Sequence, residues 1–229
     1  KKRLGQHFLR HRAILERIVE ALAPAAGSVV LEIGPGQGSL TEVLLTRGAR
    51  VVAIEKDPDL LPALRLRFPT LELLGGDAQD LDWRAAARPA PGQEFLIVGN
   101  IPYNITSPLI DQALTPPRPA RIVFLVQREV AERVAAPHGG STYGALSVGV
   151  QAVARVEKLF VVPAGAFHPP PKVDSAVLRL TPLDHPLVAD SLIPGFRRLV
   201  VGLFGFRRKQ LIRGLREFTA WPADRVTAV

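Results

Sequence analysis

The sequence predicts an α/β protein with a mainly parallel sheet covered by helices on both faces. Three observations carry this. Short apolar runs alternate with segments whose apolar residues recur at helical spacing, the pattern of strand–helix–strand units. The first run leads into a glycine-rich loop, Gly34-Pro35-Gly36-Gln37-Gly38. The last two runs follow each other without a full crossover helix, which predicts an antiparallel pair at one sheet edge.

Taken in order, residues 1–8 form a basic entry segment. From Leu9 to Ala23, the apolar residues Ile14, Leu15, Ile18, Val19 and Leu22 fall on one helical face. Residues 28–33 read as the first strand, and 39–47 as a helix stopped at Gly48. Residues 50–54 are a second strand, and 58–67 a helix with Pro58 at its start. Residues 71–74 are a third strand, and 84–92 a loop rich in proline and alanine. Residues 95–98 are a fourth strand, 107–114 a helix, 121–126 a fifth strand and 128–135 a helical stretch. After a loop at 137–142, residues 143–153 read as helix, and 156–162 and 175–180 as the last two strands. The stretch from Pro182 to Pro186 marks a boundary, with short helices at 187–204 and 208–218 beyond it. The expected organisation is one unit over residues 1–183 and a small helical one over 184–229.

Bulk composition narrows the function classes. Lys and Arg number 29 against 21 Asp and Glu, a formal charge of +8 and a pI near 10.5. Such an excess favours a polyanionic partner, because each cation near a phosphate releases counterions. Arginine-rich codon usage accounts for part of it, with 23 Arg against 6 Lys. No apolar run approaches 18 residues, so no membrane span is expected. No charged segment leads into an apolar stretch of signal-peptide type, so a cytoplasmic location is expected. Cysteine is absent, which removes disulfides and cysteine-based metal sites. His11, His138 and His185 have no metal-ligand spacing, and no metal site is expected. Methionine is also absent, even at position 1, so the natural first residues are expected to lie upstream.

The most informative segment is Gly99-Asn100-Ile101-Pro102-Tyr103, directly after the apolar run 95–98. The Asn100 side-chain oxygen and the Pro102 carbonyl are acceptors, and an exocyclic amine on a purine offers two N–H donors. The Tyr103 ring supplies a stacking platform. An adenine amine is a poor nucleophile, because its lone pair is delocalised into the ring. Two acceptors around it favour a pyramidal nitrogen whose lone pair points outward at an electrophile. The tetrapeptide alone also reads as a strand end, a proline turn and a helix start.

A second site is written along the preceding strands. The loop at 34–38 spaces its glycines G-x-G-x-G, unlike the G-x-G-x-x-G of dinucleotide binders. No basic residue beside it suits a pyrophosphate. Glu55 ends the second strand, 21 residues after Gly34, where an acid can accept from both ribose hydroxyls. Asp77 ends the third, in Gly75-Gly76-Asp77-Ala78, where a carboxylate can accept from an adenine amino group. Adenosine without phosphate, joined to a group-transfer electrophile, describes S-adenosylmethionine.

At this point the chain resembles the bacterial KsgA-type small-subunit ribosomal RNA adenine dimethyltransferases, from Lys1 to about Leu215. The resemblance is carried by 2–9 (KRLGQHFL), 32–36 (EIGPG), Asp77-Ala78, 99–105 (GNIPYNI), 127–130 (QREV), 143–148 (YGALSV) and 167–175 (FHPPPKVDS). It implies a Rossmann-like class I S-adenosylmethionine-dependent methyltransferase with a seven-stranded sheet and a small all-α C-terminal domain. The implied activity is N6,N6-dimethylation of two adjacent adenosines in the 3′-terminal hairpin loop of 16S rRNA. The implied target is a small-subunit precursor, and the enzyme a monomer. Carried onto this sequence, Gln6, His7 and Leu9 contact the cofactor from the N-terminal segment. Gly34 lies under its methionine end, Glu55 on the ribose and Asp77 on the adenine, and Gly36, Lys56, Ala78 and Asn100 also bind the cofactor. Asn100 and Pro102 receive the target amine, Tyr103 stacks on the base, and Phe167 packs on its opposite side. Position 7 is His where many relatives carry Asn; both can donate.

Arg207, Arg208, Lys209 and Arg213, interleaved with Phe204 and Phe206, read as an RNA-backbone footprint. A solvated helix face is the plain alternative. Rival functions are a 23S rRNA methyltransferase of the erythromycin-resistance class, an N6-adenine DNA methyltransferase, and a mainly non-catalytic RNA-binding assembly factor. The second usually has proline where this chain has Ile101.

Overall fold

The structure, a computed structural model, describes residues 6–206, 211–222 and 225–226. Its elements run β1 (Phe8–Leu9), α1 (Arg12–Leu22), β2 (Val29–Ile33), α2 (Ser39–Thr46), β3 (Arg50–Glu55), α3 (Leu61–Arg67) and β4 (Glu72–Gly75). Then follow α4 (Trp83–Ala87), β5 (Phe95–Asn100), α5 (Thr106–Ala113), β6 (Arg121–Gln127), α6 (Arg128–Val134) and α7 (Ala145–Gln151). The chain continues through β7 (Ala154–Val162), β8 (Phe167–His168), β9 (Ser175–Pro182), α8 (Ile193–Gly205) and α9 (Leu211–Thr219).

Seven strands form one sheet in the order β4-β3-β2-β5-β6-β9-β7. Neighbours pair in parallel except at β9, which is antiparallel to both β6 and β7. The expected antiparallel edge pair is therefore β7 with β9. The strand order reverses between β2 and β5, where a crevice opens at the carboxyl ends of an open α/β sheet.

The strands alternate their side chains between two apolar layers. Val29, Leu31 and Ile33 of β2 and Ile122, Phe124 and Val126 of β6 face one layer, packed with α4, α5, α6 and α7. Val30, Val123 and Leu125 face the other, packed with α1, α2 and α3. Both faces are covered, so the central strands read as continuous apolar runs. Gly99 sits in β5 where a Cβ would lie 2.6 Å from the Ile33 carbonyl oxygen, so β5 approaches β2 closely at the site. Helix α8 packs beside α7, with the Phe204 ring edge-on to Tyr143. The Arg197 guanidinium of α8 pairs with Asp111 of α5 at 2.9 Å.

Three expectations are corrected. Residues 84–92 are not all loop: Asp82 caps α4 by accepting from the Arg84 and Ala85 amides. Residues 9–11 are not helix, because Phe8 and Leu9 pair antiparallel with His168 and Phe167. The helix expected to start at 187 is held off until Ile193, after a 3-10 turn at Asp190–Leu192.

Candidate active site

Four strand ends and the N-terminal segment line one cavity at the carboxyl edge of the sheet. Gly34 and Gly36 turn the chain off β2 at φ of +70° and +59°, a region that disfavours a side chain. A Cβ on Gly36 would also meet the Phe8 ring at 3.0 Å. The loop is fixed from β3. The Gly36 amide donates to Glu55 Oε2 at 2.9 Å, and the Asp57 amide to Oε1 at 2.8 Å. Burial pushes the Glu55 carboxyl up, and those two amides oppose the shift. Each carboxylate oxygen keeps a second lone pair for a ligand hydroxyl.

Asp77 follows β4 and caps a 3-10 turn, its Oδ1 accepting from the Gln79 amide at 3.0 Å. Its Oδ2 accepts from Lys56 Nζ at 2.5 Å, and Lys56 holds the carboxyl below the usual carboxylate range. Lys56, expected to bind the cofactor, thus reaches the acid expected on the adenine. The Ala78 carbonyl is engaged too, accepting from the Trp83 indole at 2.7 Å and Gln112 Nε2 at 3.1 Å.

Asn100 ends β5. Its Nδ2 donates to the His7 carbonyl at 2.8 Å, which leaves Oδ1 as the end presented to a ligand. Pro102 differs from expectation. Its carbonyl already accepts from the Ile105 amide at 3.2 Å, with the Thr106 hydroxyl at 3.3 Å. That hydroxyl lies equally close to the Tyr103 carbonyl and has one proton to give, so Pro102 keeps only part of its accepting capacity. The Tyr103 hydroxyl and Ser175 Oγ share a hydrogen bond of 2.8 Å, and burial raises the Tyr103 pKa.

The N-terminal segment closes one side of the cavity. Gln6 Nε2 donates to Asp57 Oδ2 at 3.1 Å, while Gln6 Oε1 is buried without a donor. His7 Nδ1 bonds the Pro169 carbonyl at 2.8 Å. Leu9, 6% exposed, joins the apolar floor.

Phe167 lies beside the cavity, in the apolar layer. Its side chain is 5% exposed and lies in the apolar layer with Leu9, Leu15 and Val177, and the cavity is lined without it. Its register opposite Leu9 turns it into that layer, where it anchors the N-terminal segment. Arg213 lies on α9 with its Nε 2.9 Å from Glu217 Oε1. Arg207, Arg208 and Lys209 lie outside the described residues.

Sequence reasoning missed Glu32. It is 1% exposed at the end of β2, accepts from the Thr41 hydroxyl at 2.6 Å and lines the cavity. Burial is the largest of the influences that raise its pKa to about 7. An acid inside an apolar strand, two residues before the loop, was the available signal.

The residues fit S-adenosylmethionine. The glycines leave the space that a Cβ would fill, and the buried unpartnered Gln6 Oε1 suits an ammonium donor. Glu55 and Asp77 suit hydroxyls and an amine. Fold and site together define a class I S-adenosylmethionine-dependent methyltransferase.

Residues 1–227 match the family described as ribosomal RNA adenine dimethylase. The chain belongs to that family: it is an rRNA adenine dimethyltransferase that takes its methyl groups from S-adenosylmethionine. It is 44% identical to the ribosomal RNA small subunit methyltransferase A of Chromohalobacter salexigens, over 97% of this chain and 82% of that one. The namesake of Synechococcus elongatus is 46% identical, over 94% and 81%. Among solved structures, a dimethyladenosine transferase from Plasmodium falciparum superposes with a TM-score of 0.81 at 31% identity, covering 92% of this chain and 75% of that one. The 23S rRNA methyltransferase ErmE gives 0.74 at 31%, covering 96% and 87%.

Proposed function

We propose that this enzyme dimethylates N6 of two adjacent adenosines in the 3′-terminal hairpin loop of 16S rRNA. It acts as a cytoplasmic monomer on a small-subunit precursor. Residues 1–183 carry the chemistry and 184–229 help to hold the RNA. The observation that carries the reading is one cavity with two halves, an Asn100 oxygen beside Tyr103 and a Gly34–Glu55–Asp77 cradle. The choice of the small subunit rests on relatives at 44–46% identity that bear that name, against 31% for ErmE.

When bound, S-adenosylmethionine supplies the electrophilic sulfonium methyl that the adenine nitrogen takes up. The protein's part is to position and to accept. The target base leaves its loop to enter the cavity. Tyr103 stacks on it, and Asn100 Oδ1 accepts one N–H, keeping the nitrogen lone pair directed outward. The Pro102 carbonyl offers its remaining capacity to the second N–H. No general base is needed, since the proton leaves to water after transfer. Glu55 would hold the ribose hydroxyls, and Asp77 would exchange Lys56 for the cofactor's adenine amine. Gln6 Oε1 takes the methionine ammonium. Arg207, Arg208, Lys209 and Arg213 meet RNA phosphates.

The test is radiolabelled methyl transfer to purified unmethylated small subunits, with large subunits and duplex DNA beside them. Labelled dimethyladenosine in the small subunit alone is the expected result. Label in the large subunit would move the enzyme to the erythromycin-resistance class. No label anywhere, with small subunits still bound, would make it a binding factor.

A further inference from the structure

Ser175 is fully buried, and its hydroxyl reaches across 72 residues of sequence to the Tyr103 hydroxyl at 2.8 Å. We propose that Ser175 is a positioning residue for methyl transfer: its hydroxyl sets the plane of the Tyr103 ring on which the target adenine stacks. This rests on the reading of Tyr103 as the stacking platform of the target-base site.

The two ends of the bond are held unequally. Ser175 opens β9, opposite Gln127 of β6 on one side and Val162 of β7 on the other. The residue before it is tied as well. The Asp174 carbonyl accepts from the Arg128 amide at 3.0 Å, and Asp174 Oδ1 accepts from the Ala164 amide at 3.0 Å. The serine hydroxyl is therefore a fixed point of the sheet. Tyr103 instead opens a three-residue 3-10 turn, closed by the Ile105 amide on the Pro102 carbonyl at 3.2 Å. That closure orders the backbone of the turn and leaves the ring two side-chain torsions to turn about. The bond to Ser175 acts at the far end of the ring, where it restrains both. The ring lines the cavity, so the same bond sets how its face is turned there. A base needs that face, and a ring already turned loses less freedom when the base arrives. The surroundings of Ser175 point the same way. Ala176, Val177 and Leu178 follow it as fully buried apolar residues, and a hydroxyl buried beside them is unfavourable unless it is bonded. Its partner is a side chain of the cavity.

The competing role for the serine hydroxyl is local, to seat the start of β9. A double-mutant cycle separates the two. Ser175→Ala and Tyr103→Phe each remove one hydroxyl, Tyr103→Phe keeping the ring, and the double variant removes both. Each is assayed for kcat and KM with unmethylated small subunits, well below its unfolding midpoint, and for S-adenosylmethionine affinity by calorimetry, with Tyr103→Ala alongside. Leaving one ring to be immobilised by the base corresponds to roughly 3- to 10-fold. Either single variant should lose that much kcat/KM, with cofactor affinity within a few-fold. The double variant should fall no further than the worse of the two. Effects that multiply would overturn the proposal, because the hydroxyls would then act apart. A loss in Ser175→Ala that Tyr103→Phe does not share would overturn it in favour of the local role, and wild-type kcat/KM in Ser175→Ala would overturn it outright. If Ser175→Ala fails to fold, Tyr103→Phe breaks the same bond from the other end: a fall in its kcat/KM supports the proposal, and wild-type turnover sinks it. Tyr103→Ala separates failure of this proposal from failure of the reading beneath it. If Tyr103→Ala leaves kcat/KM unchanged, the target-base site itself is misplaced; if Tyr103→Ala alone is damaging, only the role of Ser175 is lost.

Discussion

The two halves of the cavity are built differently. In the cofactor half, functional groups sit at strand ends and are fixed by backbone amides. Glu55 is 4% exposed and receives the Gly36 and Asp57 amides, so its position follows once β2 and β3 pair. In the target-base half, Asn100 ends β5, Tyr103 opens a 3-10 turn and His7 precedes β1, and the groups are fixed by side-chain bonds to distant segments. Asn100 depends on His7, His7 on Pro169, and Tyr103 on Ser175. The comparison teaches a division of labour. On the proposed reading, the small ligand meets a ribose cradle that the sheet has already ordered, while its adenine has to displace Lys56 from Asp77. On the same reading, the base extruded from an RNA loop meets groups held by contacts between distant segments.

The largest expected effect tests the base half. Asn100→Ala removes the oriented acceptor and should cost about 2–4 kcal/mol in the transition state, by analogy with losing one oxyanion-hole donor. Single-turnover transfer should fall by roughly 10²- to 10³-fold, with S-adenosylmethionine affinity within a few-fold. Near-wild-type turnover would remove Asn100 from the chemistry.

A slightly smaller effect tests how strained the cofactor half is. Glu32 has a folded pKa raised from 4.5 to about 7 by burial. A raised carboxyl favours folding below its unfolded pKa, and the protein loses that contribution as pH climbs through about 7. Glu32→Gln keeps an acceptor for Thr41 and cannot ionise. It should therefore stabilise the protein by about 3 kcal/mol near pH 9 and by little near pH 4, read from denaturant midpoints. A difference that does not vary with pH would show that Glu32 titrates normally.

Glu55→Ala comes next. Loss of a carboxylate that accepts from two hydroxyls should weaken S-adenosylmethionine binding by about 1.5–3 kcal/mol, measured by calorimetry. Saturating cofactor should restore turnover, which it cannot do for Asn100→Ala. If both variants behave alike, the cavity does not divide as described.

The same division explains what the sequence disclosed. Strands β2, β3, β5 and β6 were legible because they are buried on both faces and leave apolar runs, interrupted in β2 by Glu32. Gly34, Glu55 and Asp77 were legible because each stands at the end of such a run, at a spacing that the strand–loop–helix unit dictates. Asn100 followed for the same reason. What the sequence hid was set by contacts between distant segments. The pairing of Phe8–Leu9 with Phe167–His168 joins the N-terminal segment to a loop near the end of the sheet, and no local pattern encodes it. That pairing sends Phe167 into the apolar layer and brings His7 beside Tyr103. The partial occupation of the Pro102 carbonyl depends on the short turn at Tyr103–Ile105, which apolar periodicity does not reveal. Helix α4 was masked by its alanines and flanking prolines, although the Asp82 cap was visible.

The smallest expected effect lies outside both halves. Arg213 is exposed on α9 and shares its charge with Glu217 one turn on. An exposed pair of this kind contributes little to stability, so Arg213→Gln should leave the fold intact. If the guanidinium reaches an RNA phosphate, its loss removes at most one counterion-releasing contact. The slope of log affinity against log salt for small subunits should then drop by about 0.7–0.9, the single-strand and duplex limits for one phosphate. Cofactor affinity should not move, because the groups that fix the Glu55 cradle come from β2, β3 and the loops after them, not from α9. Glu217→Gln supplies the matching control. It frees the Arg213 charge, and should steepen the slope slightly if the ion pair competes with RNA. A slope that ignores both changes would leave α9 out of the RNA footprint.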